Sequence, residues 1–248
     1  MAELAPGDLE VDVAHITLKG ADGALVDAVH ARPDGPPRAG LVVHPDIMGL
    51  RPLFDDMCRR LATHGFAVCS PEPFARAPAD VVAAGDPSGR MAYVPELDDE
   101  VQLGDLEAAA DYLVVHDDVQ HVGVLGFCMG GMQVLKVAAR GRFDRAVAFY
   151  GMIRVPPDWV GAATKQPLDT AADVCPTLAI FGAVDTFTPE PDIDALRAAW
   201  AARPDCEIVV YADAEHGFVH APERPAHRPD DAVDAWRRAL EFLTRDEP

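Results

Sequence analysis

The chain has 248 residues, of which 49% are hydrophobic and 25% charged, so it can form one substantial globular core. Its 41 acidic and 21 basic residues give a formal net charge of −20, which argues against binding to nucleic acid or to an anionic membrane surface. No apolar run approaches the length of a membrane span, and the first ten residues lack the features of a secretory signal.

The chain has five widely spaced cysteines and no Cys-x-x-Cys pair. This pattern predicts neither a disulfide framework nor a zinc cluster. It is typical of the reducing cytoplasm, which is the expected compartment. The strong net charge suits a monomer or a small homo-oligomer.

The chain opens with two segments of partly alternating apolar residues, 11–18 and 24–31, around a glycine-containing turn at 20–23, which predicts a β-hairpin. Buried strands are then predicted at 40–44, 66–70, 122–125, 145–150, 177–181 and 207–211. Helices are predicted at 51–64, 98–115, 129–140, 192–202 and 231–243. This alternation predicts a single α/β domain over residues 1–248, with a mostly parallel, doubly wound sheet and helices on both faces.

Two long excursions interrupt this alternation, at about 71–95 and 151–175. The first is rich in proline, and the second contains Trp159 as its one large aromatic residue. Long loops of this kind commonly carry function, so both are candidate walls of a pocket.

The most informative motif is Gly126-Phe127-Cys128-Met129-Gly130, which follows a short buried strand. The pattern Gly-x-Cys-x-Gly is a nucleophile elbow with cysteine in place of serine, on a strained turn between a strand and a helix. The helix N-terminus favours the thiolate form of Cys128, and the Met129 N–H is a candidate oxyanion donor. The alternative is a buried structural cysteine beside a glycine-rich turn.

Two further residues follow predicted strands in the order that this arrangement requires. Asp185 comes after Phe181-Gly182-Ala183-Val184, and His216 comes after the strand that ends at Tyr211. Because the carboxyl ends of parallel strands meet at one edge of the sheet, the order nucleophile, acid, histidine predicts a catalytic triad. In it His216 moves protons, and Asp185 orients His216. Taken singly, an Asp in such a loop is usually a turn or cap residue, and a His before Gly is more often an ordinary loop residue.

With these motifs the sequence resembles the dienelactone hydrolase family. Members of this family are carboxymethylenebutenolidase-like α/β-hydrolases with a cysteine nucleophile. The resemblance runs from about Ala39 to the final helix. It is carried by four segments in order, which are 43–50 (Val-His-Pro-Asp-Ile-Met-Gly-Leu), 126–131 (Gly-Phe-Cys-Met-Gly-Gly), 182–185 (Gly-Ala-Val-Asp) and 215–218 (Glu-His-Gly-Phe).

The resemblance implies that Cys128 is the nucleophile, His216 the base and Asp185 its orienting partner. It also implies that the chain cleaves a small lactone or carboxylic ester through an acyl-thioenzyme, without a metal or organic cofactor. Where the family typically has a glutamate that helps to form the thiolate, this chain has Asp46. The alternative for Asp46 is a turn or helix cap. The Ile47 N–H would be the second oxyanion donor.

The family holds a substrate carboxylate with arginines, one of them four residues after the catalytic histidine, where this chain has His220. Other candidates for this role are Arg224, Arg76 and Arg90. Trp159 and Phe218 are candidates for lining the pocket, with core packing as the alternative.

Two rival interpretations keep the same fold. In the first, an activated Cys128 captures electrophiles or oxidants without turnover. In the second, the site is vestigial and the protein is a structural partner, which requires no activated thiol.

Overall fold

The computed structural model describes residues 4–83 and 86–245. Within these residues eight strands form one sheet in the order β1-β2-β4-β3-β5-β6-β7-β8. The strands are β1 (Val11–Lys19), β2 (Leu25–Pro33), β3 (Ala39–His44), β4 (Phe66–Pro71), β5 (Val122–Phe127), β6 (Arg145–Phe149), β7 (Thr177–Gly182) and β8 (Cys206–Tyr211).

The hairpin β1–β2 is antiparallel, and β2 pairs antiparallel with β4. All other neighbouring strands are parallel. The predicted edge hairpin and mostly parallel, doubly wound sheet are therefore confirmed. Because the parallel strands share one direction, β5, β7 and β8 end at the same edge of the sheet.

The helices are α1 (Pro52–Thr63), α2 (Ala79–Ala83), α3 (Ser88–Tyr93), α4 (Asp99–Asp117), α5 (Met129–Val137), α6 (Glu190–Ala199) and α7 (Pro229–Leu243). The apolar residues of α1 and α7 pack in one core cluster, and those of α4 and α6 pack in a second. The strands between them contribute to both clusters by alternation: Leu41 and Val43 face the first, and Val42 faces the second. Helices on both faces of the sheet are thus confirmed.

Both excursions contain short helical turns that the sequence did not predict, because neither segment has a clear apolar period. The first contains α2, α3 and a 3₁₀ turn at Val94–Glu96, and the second contains 3₁₀ turns at Pro157–Trp159 and Pro167–Asp173. The excursions meet where a Cβ on Gly161 would lie 1.7 Å from the Pro95 carbonyl oxygen. Of the helices in the described ranges, none has the length and hydropathy to cross a bilayer.

Candidate active site

Cys128 lies between β5 and α5 with a φ of 57° and a ψ of −119°. A residue with a side chain rarely adopts a positive φ, and the strain persists only where the surroundings hold it. Here the Cys128 N–H donates to the Phe149 carbonyl at 3.0 Å, and the Cys128 carbonyl accepts from the Met132 N–H at 3.0 Å. The strained turn predicted from the Gly-x-Cys-x-Gly motif is confirmed.

The two glycines of the motif allow the strand and the helix to approach closely. A Cβ on Gly126 would lie 2.5 Å from the carbonyl of Gly130. A Cβ on Gly130 would lie 2.4 Å from the carbonyl oxygens of His44 and Pro45. No side chain fits in either place, and the loop after β3 consequently runs directly against the start of α5.

The structure brings His216 and Asp185 together. His216 Nδ1 lies 2.7 Å from Asp185 Oδ2, and the Asp185 side chain is fully buried. Asp185 Oδ1 accepts a hydrogen bond from the Phe187 N–H at 2.8 Å. Since an ionised carboxylate only accepts, His216 Nδ1 carries the hydrogen of this bond. His216 Nε2 is buried and has no hydrogen-bond partner among the described residues, and Cys128 contributes to the pKa of this ring.

The pKa of His216 shows how strongly it is coupled to Cys128. Burial, the largest single influence, lowers this pKa. The charge interaction with Cys128 and the hydrogen bond to Asp185 outweigh burial and raise the pKa of His216 to about 10. Cys128 and Asp185 therefore favour the protonated form of the His216 imidazole at neutral pH.

Two backbone N–H groups near Cys128 are available for an oxyanion. Met129 is the first residue of α5, where an N–H has no acceptor in its own helix. The Ile47 N–H has no hydrogen-bond partner among residues 4–83 and 86–245, and Ile47 belongs to the same buried cluster as Cys128. Both groups fit the predicted oxyanion donors.

Asp46 has partners other than Cys128. Its Oδ1 accepts from Arg51 Nη1 at 2.7 Å and from the Met48 N–H at 2.9 Å. Its Oδ2 accepts from Arg51 Nη2 at 2.8 Å and lies 2.7 Å from His220 Nε2. The bond to Met48 confirms that Asp46 caps its own turn. Among the described residues, no hydrogen bond or ion pair joins the Asp46 side chain to Cys128.

The charge on Asp46 explains why this carboxyl is unsuited to take a proton from Cys128. Burial alone would raise its pKa, but His220 and Arg51 hold the pKa of this carboxyl well below its usual range. A carboxylate stabilised in this way has little affinity for a proton. Asp46 therefore anchors the loop between β3 and α1, which we define as residues 45–51, and is poorly suited to take the proton of a thiol directly.

The position of His220 in the family motif predicts a contact with substrate. The structure contradicts this prediction, because His220 does not reach solvent. It is completely buried and stacks on Phe127 with ring centroids 4.8 Å apart. Its Nε2 contacts Asp46, and its Nδ1 contacts the hydroxyl of Tyr150. Sequence reasoning missed Tyr150, whose only signal is its place directly after a buried strand.

Two of the predicted substrate arginines have other partners. Arg76 binds Asp105 and also Asp22, with Arg76 Nη2 to Asp22 Oδ1 at 2.6 Å. These two carboxylates already compensate its charge, so Arg76 is not free for a substrate carboxylate. Arg90 is buried over the Phe74 ring, with Nη2 donating to the Val82 carbonyl at 2.6 Å.

Arg224 lies beside His216. A Cβ on Gly217 would be 2.3 Å from Arg224 Nη1, which places the guanidinium against the residue after His216. Arg224 and His216 line a cavity of about 500 Å³ together with Val184, Thr186, Phe187, Glu215, Pro225 and Ala226. Among the described residues, Arg224 is the one arginine whose side chain has neither a hydrogen bond nor an ion pair.

The aromatic wall of this cavity is Phe187, which the sequence did not suggest. Phe187 is 40% exposed, and its ring centroid lies 4.8 Å from that of His216. Phe218 is instead fully buried against Tyr150 and Tyr211, so the core alternative is correct for it. Trp159 is buried in the same apolar cluster as Cys128.

The described residues contain one cluster with the donor atoms of a metal site, formed by His30, His116 and Asp117. Its contacts are already those of a hydrogen-bonded network: His30 Nε2 lies 2.8 Å from Asp117 Oδ2, and His116 Nδ1 lies 3.3 Å from Asp117 Oδ1. The Arg32 guanidinium lies 3.4 Å from Asp117 and supplies a positive charge beside this carboxylate. This cluster lies on β2 and the end of α4, outside the strand ends that carry Cys128.

Comparison with known proteins identifies the family. The profile of the dienelactone hydrolase family matches residues 26–246. The "Putative carboxymethylenebutenolidase" of Escherichia coli O157:H7 is 35% identical, covering 93% of this chain and 86% of that protein. The carboxymethylenebutenolidase of Rhodococcus opacus is 31% identical, covering 94% of this chain and 92% of that protein.

A solved structure extends the likeness to three dimensions. The crystal structure of a "Putative Dienelactone Hydrolase" from Klebsiella pneumoniae subsp. pneumoniae superposes with a TM-score of 0.85 at 29% identity. The match covers 95% of this chain and 99% of that one. The chain therefore belongs to the dienelactone hydrolase family, and it is a hydrolase of the ester- and lactone-cleaving class with the α/β-hydrolase fold.

Proposed function

We propose that this enzyme hydrolyses small lactones or carboxylic esters through a Cys128–His216–Asp185 triad and an acyl-thioenzyme. One observation carries the proposal: Cys128 stands on a strained turn at a helix N-terminus, beside a histidine whose other nitrogen lies 2.7 Å from a buried carboxylate. Nucleophile, base and orienting group in this relation are the requirements of covalent acyl transfer.

Acylation begins when the thiolate sulfur adds to the substrate carbonyl carbon and the carbonyl electrons move to oxygen. The Met129 and Ile47 N–H groups stabilise this oxyanion. The intermediate collapses with cleavage of the C–O bond, and His216 Nε2–H protonates the leaving oxygen. In a lactone the resulting alcohol stays attached to the acyl group, which is now a thioester of Cys128.

Deacylation reverses the proton movement. Neutral His216 takes a proton from water, and the hydroxide adds to the thioester carbonyl. The C–S bond then breaks, which releases the carboxylic acid and restores the thiolate beside a protonated His216. Asp185 keeps the hydrogen on Nδ1 throughout, so that Nε2 faces the reaction.

Arg224 supports a substrate that carries a carboxylate. It is an exposed cation with no side-chain partner among the described residues, and it lines the cavity beside His216. The name of the Rhodococcus opacus relative denotes a lactone, a butenolide, with a carboxymethylene group. An anionic lactone of this class would place its carboxylate against Arg224 and its carbonyl at Cys128.

The site requires no cofactor for these steps. The reducing cytoplasm remains the proposed compartment, supported by five cysteines that are all free thiols. A monomer or small homo-oligomer remains the proposed assembly state.

The test is hydrolysis of a dienelactone, simple lactones and aryl esters by wild type, Cys128→Ala and the control Cys175→Ala. Cys175 is a suitable control because it is partly exposed and burial raises the pKa of its thiol to about 12. We expect turnover in wild type and in the control and none in Cys128→Ala. Full activity of Cys128→Ala would refute the mechanism, and stoichiometric alkylation without turnover would favour the capture protein.

Arg224→Gln tests the substrate class separately. Loss of its charge is expected to raise KM for an anionic lactone about tenfold or more and to leave a neutral aryl ester unchanged. Equal effects on both substrates would contradict the role of Arg224 in substrate binding without contradicting the proposed triad.

A further inference from the structure

A second carboxylate–imidazole–hydroxyl chain lies beside the triad and takes no part in the mechanism above. It joins Asp46, His220 and Tyr150, with Arg51 holding the outer end of Asp46. His220 is its central member and is fully buried, as is Tyr150. Buried polar chains of this kind are costly unless every member is satisfied, and here every member has a partner.

The protonation states fix the direction of each hydrogen bond. Asp46 is ionised because His220 and Arg51 outweigh the effect of burial on its pKa, whereas burial lowers the pKa of His220. A neutral imidazole has one N–H, and an ionised carboxylate only accepts. His220 Nε2–H therefore donates to Asp46, and the Tyr150 hydroxyl donates to His220 Nδ1.

Each end of this chain lies next to a part of the catalytic site. Asp46 immediately precedes Ile47, whose N–H is the proposed oxyanion donor. Tyr150 packs edge-on against the His216 ring with centroids 5.2 Å apart, and its own N–H donates to the Ile180 carbonyl at 2.7 Å. Tyr150 also has a φ of 39°, a strained conformation that the surrounding contacts must hold.

We propose that His220 is a positioning residue: the Asp46–His220–Tyr150 chain ties the 45–51 loop to the catalytic base and so sets the Ile47 N–H relative to Cys128. The inference rests on the proposed function, because the Ile47 N–H matters only if an oxyanion forms there. The chain connects Asp46 to His220, which are 174 positions apart in the sequence. A displacement of about 1 Å in such a site can lower a rate about 100-fold.

Three variants separate this role from simple packing. His220→Phe keeps an aromatic ring on Phe127 but removes both ring nitrogens. His220→Gln retains a donor for Asp46 and an acceptor for Tyr150, and Tyr150→Phe removes only the hydroxyl. The matched control is His30→Phe, which breaks an equivalent buried bond to an aspartate at 2.8 Å on β2, with β4 and β3 lying between β2 and β5.

The first readout compares two reactions of Cys128. Ester hydrolysis needs the oxyanion donors, whereas alkylation by iodoacetamide is a direct displacement that does not. For His220→Phe we expect kcat for an aryl ester to fall about 100-fold with little change in KM, and the alkylation rate to stay within about twofold of wild type. His220→Gln should recover most of kcat, and Tyr150→Phe should lie between the two.

The second readout does not depend on activity. In ¹⁵N-labelled protein the Ile47 amide resonance should move in His220→Phe, return towards its wild-type position in His220→Gln, and stay unchanged in His30→Phe. If wild type hydrolyses no ester, the proposed function fails while this measurement still decides whether His220 positions the loop. An unmoved Ile47 amide, equal loss of alkylation and hydrolysis, or no recovery by glutamine would each overturn the inference.

Discussion

Replacing Asp185 by asparagine tests the triad most directly because it changes charge with almost no change in shape. Asp185 uses both oxygens, one for His216 Nδ1 at 2.7 Å and one for the Phe187 N–H at 2.8 Å. Asparagine has only one oxygen. If that oxygen keeps the Phe187 bond, the amide NH₂ faces His216 and forces the hydrogen of the neutral ring onto Nε2, where it can no longer accept a proton.

The size of the effect follows from the bond that is lost. A hydrogen bond to a charged partner contributes about 1.5–3 kcal/mol, which corresponds to roughly 10- to 150-fold in rate. The tautomer change adds to this loss, so we expect kcat/KM for Asp185→Asn to fall about 100-fold or more. The assay is steady-state hydrolysis of an aryl ester, with the ¹⁵N shifts of His216 reporting the tautomer.

A matched control is Asp213→Asn, three residues before His216. The Asp213 side chain is 82% exposed, and its nearest cation, Arg228, is 3.9 Å away. This variant should keep wild-type activity, and both variants should keep the wild-type circular dichroism spectrum. Hydrolysis by Asp185→Asn within about threefold of wild type, in folded protein, would refute the role of Asp185 in orienting the base.

Three other predictions concern the same framework. Cys128→Ala should lower the pKa of His216 from about 10, because the thiolate charge that raises it is removed while burial still lowers it; an unchanged NMR titration would contradict the coupling. Lys136→Met should reduce the free energy of unfolding by about 3–5 kcal/mol, because Lys136 Nζ lies 2.8 Å from the buried Asp99 carboxylate. Urea denaturation measures this loss, and a loss under about 1 kcal/mol would show that the pair is not stabilising. Gly130→Ala should abolish hydrolysis, because its Cβ would lie 2.4 Å from two carbonyl oxygens, and retained activity would mean that the elbow tolerates a wider turn.

Most of the framework was determined by local sequence. The elbow glycines and the short apolar strands each depend on residues within a few positions of one another, and the order Cys128, Asp185, His216 is visible directly in the sequence. Parallel strands bring their carboxyl ends to one edge of the sheet, so the pairing of His216 with Asp185 followed without knowledge of any loop. The short helices of the two excursions did not follow, because neither sequence has a clear apolar period.

The partners of the remaining polar residues were decided only by the tertiary structure. Arg76 binds Asp22 and Asp105, which are 54 and 29 positions away, and Asp46 binds His220 across 174 positions. Such contacts depend on where the loops lie over the sheet, and no periodicity in the sequence records that. The sequence offers several candidate arginines and does not distinguish among them. The position of the loops leaves Arg224 beside His216, without a side-chain partner among the described residues.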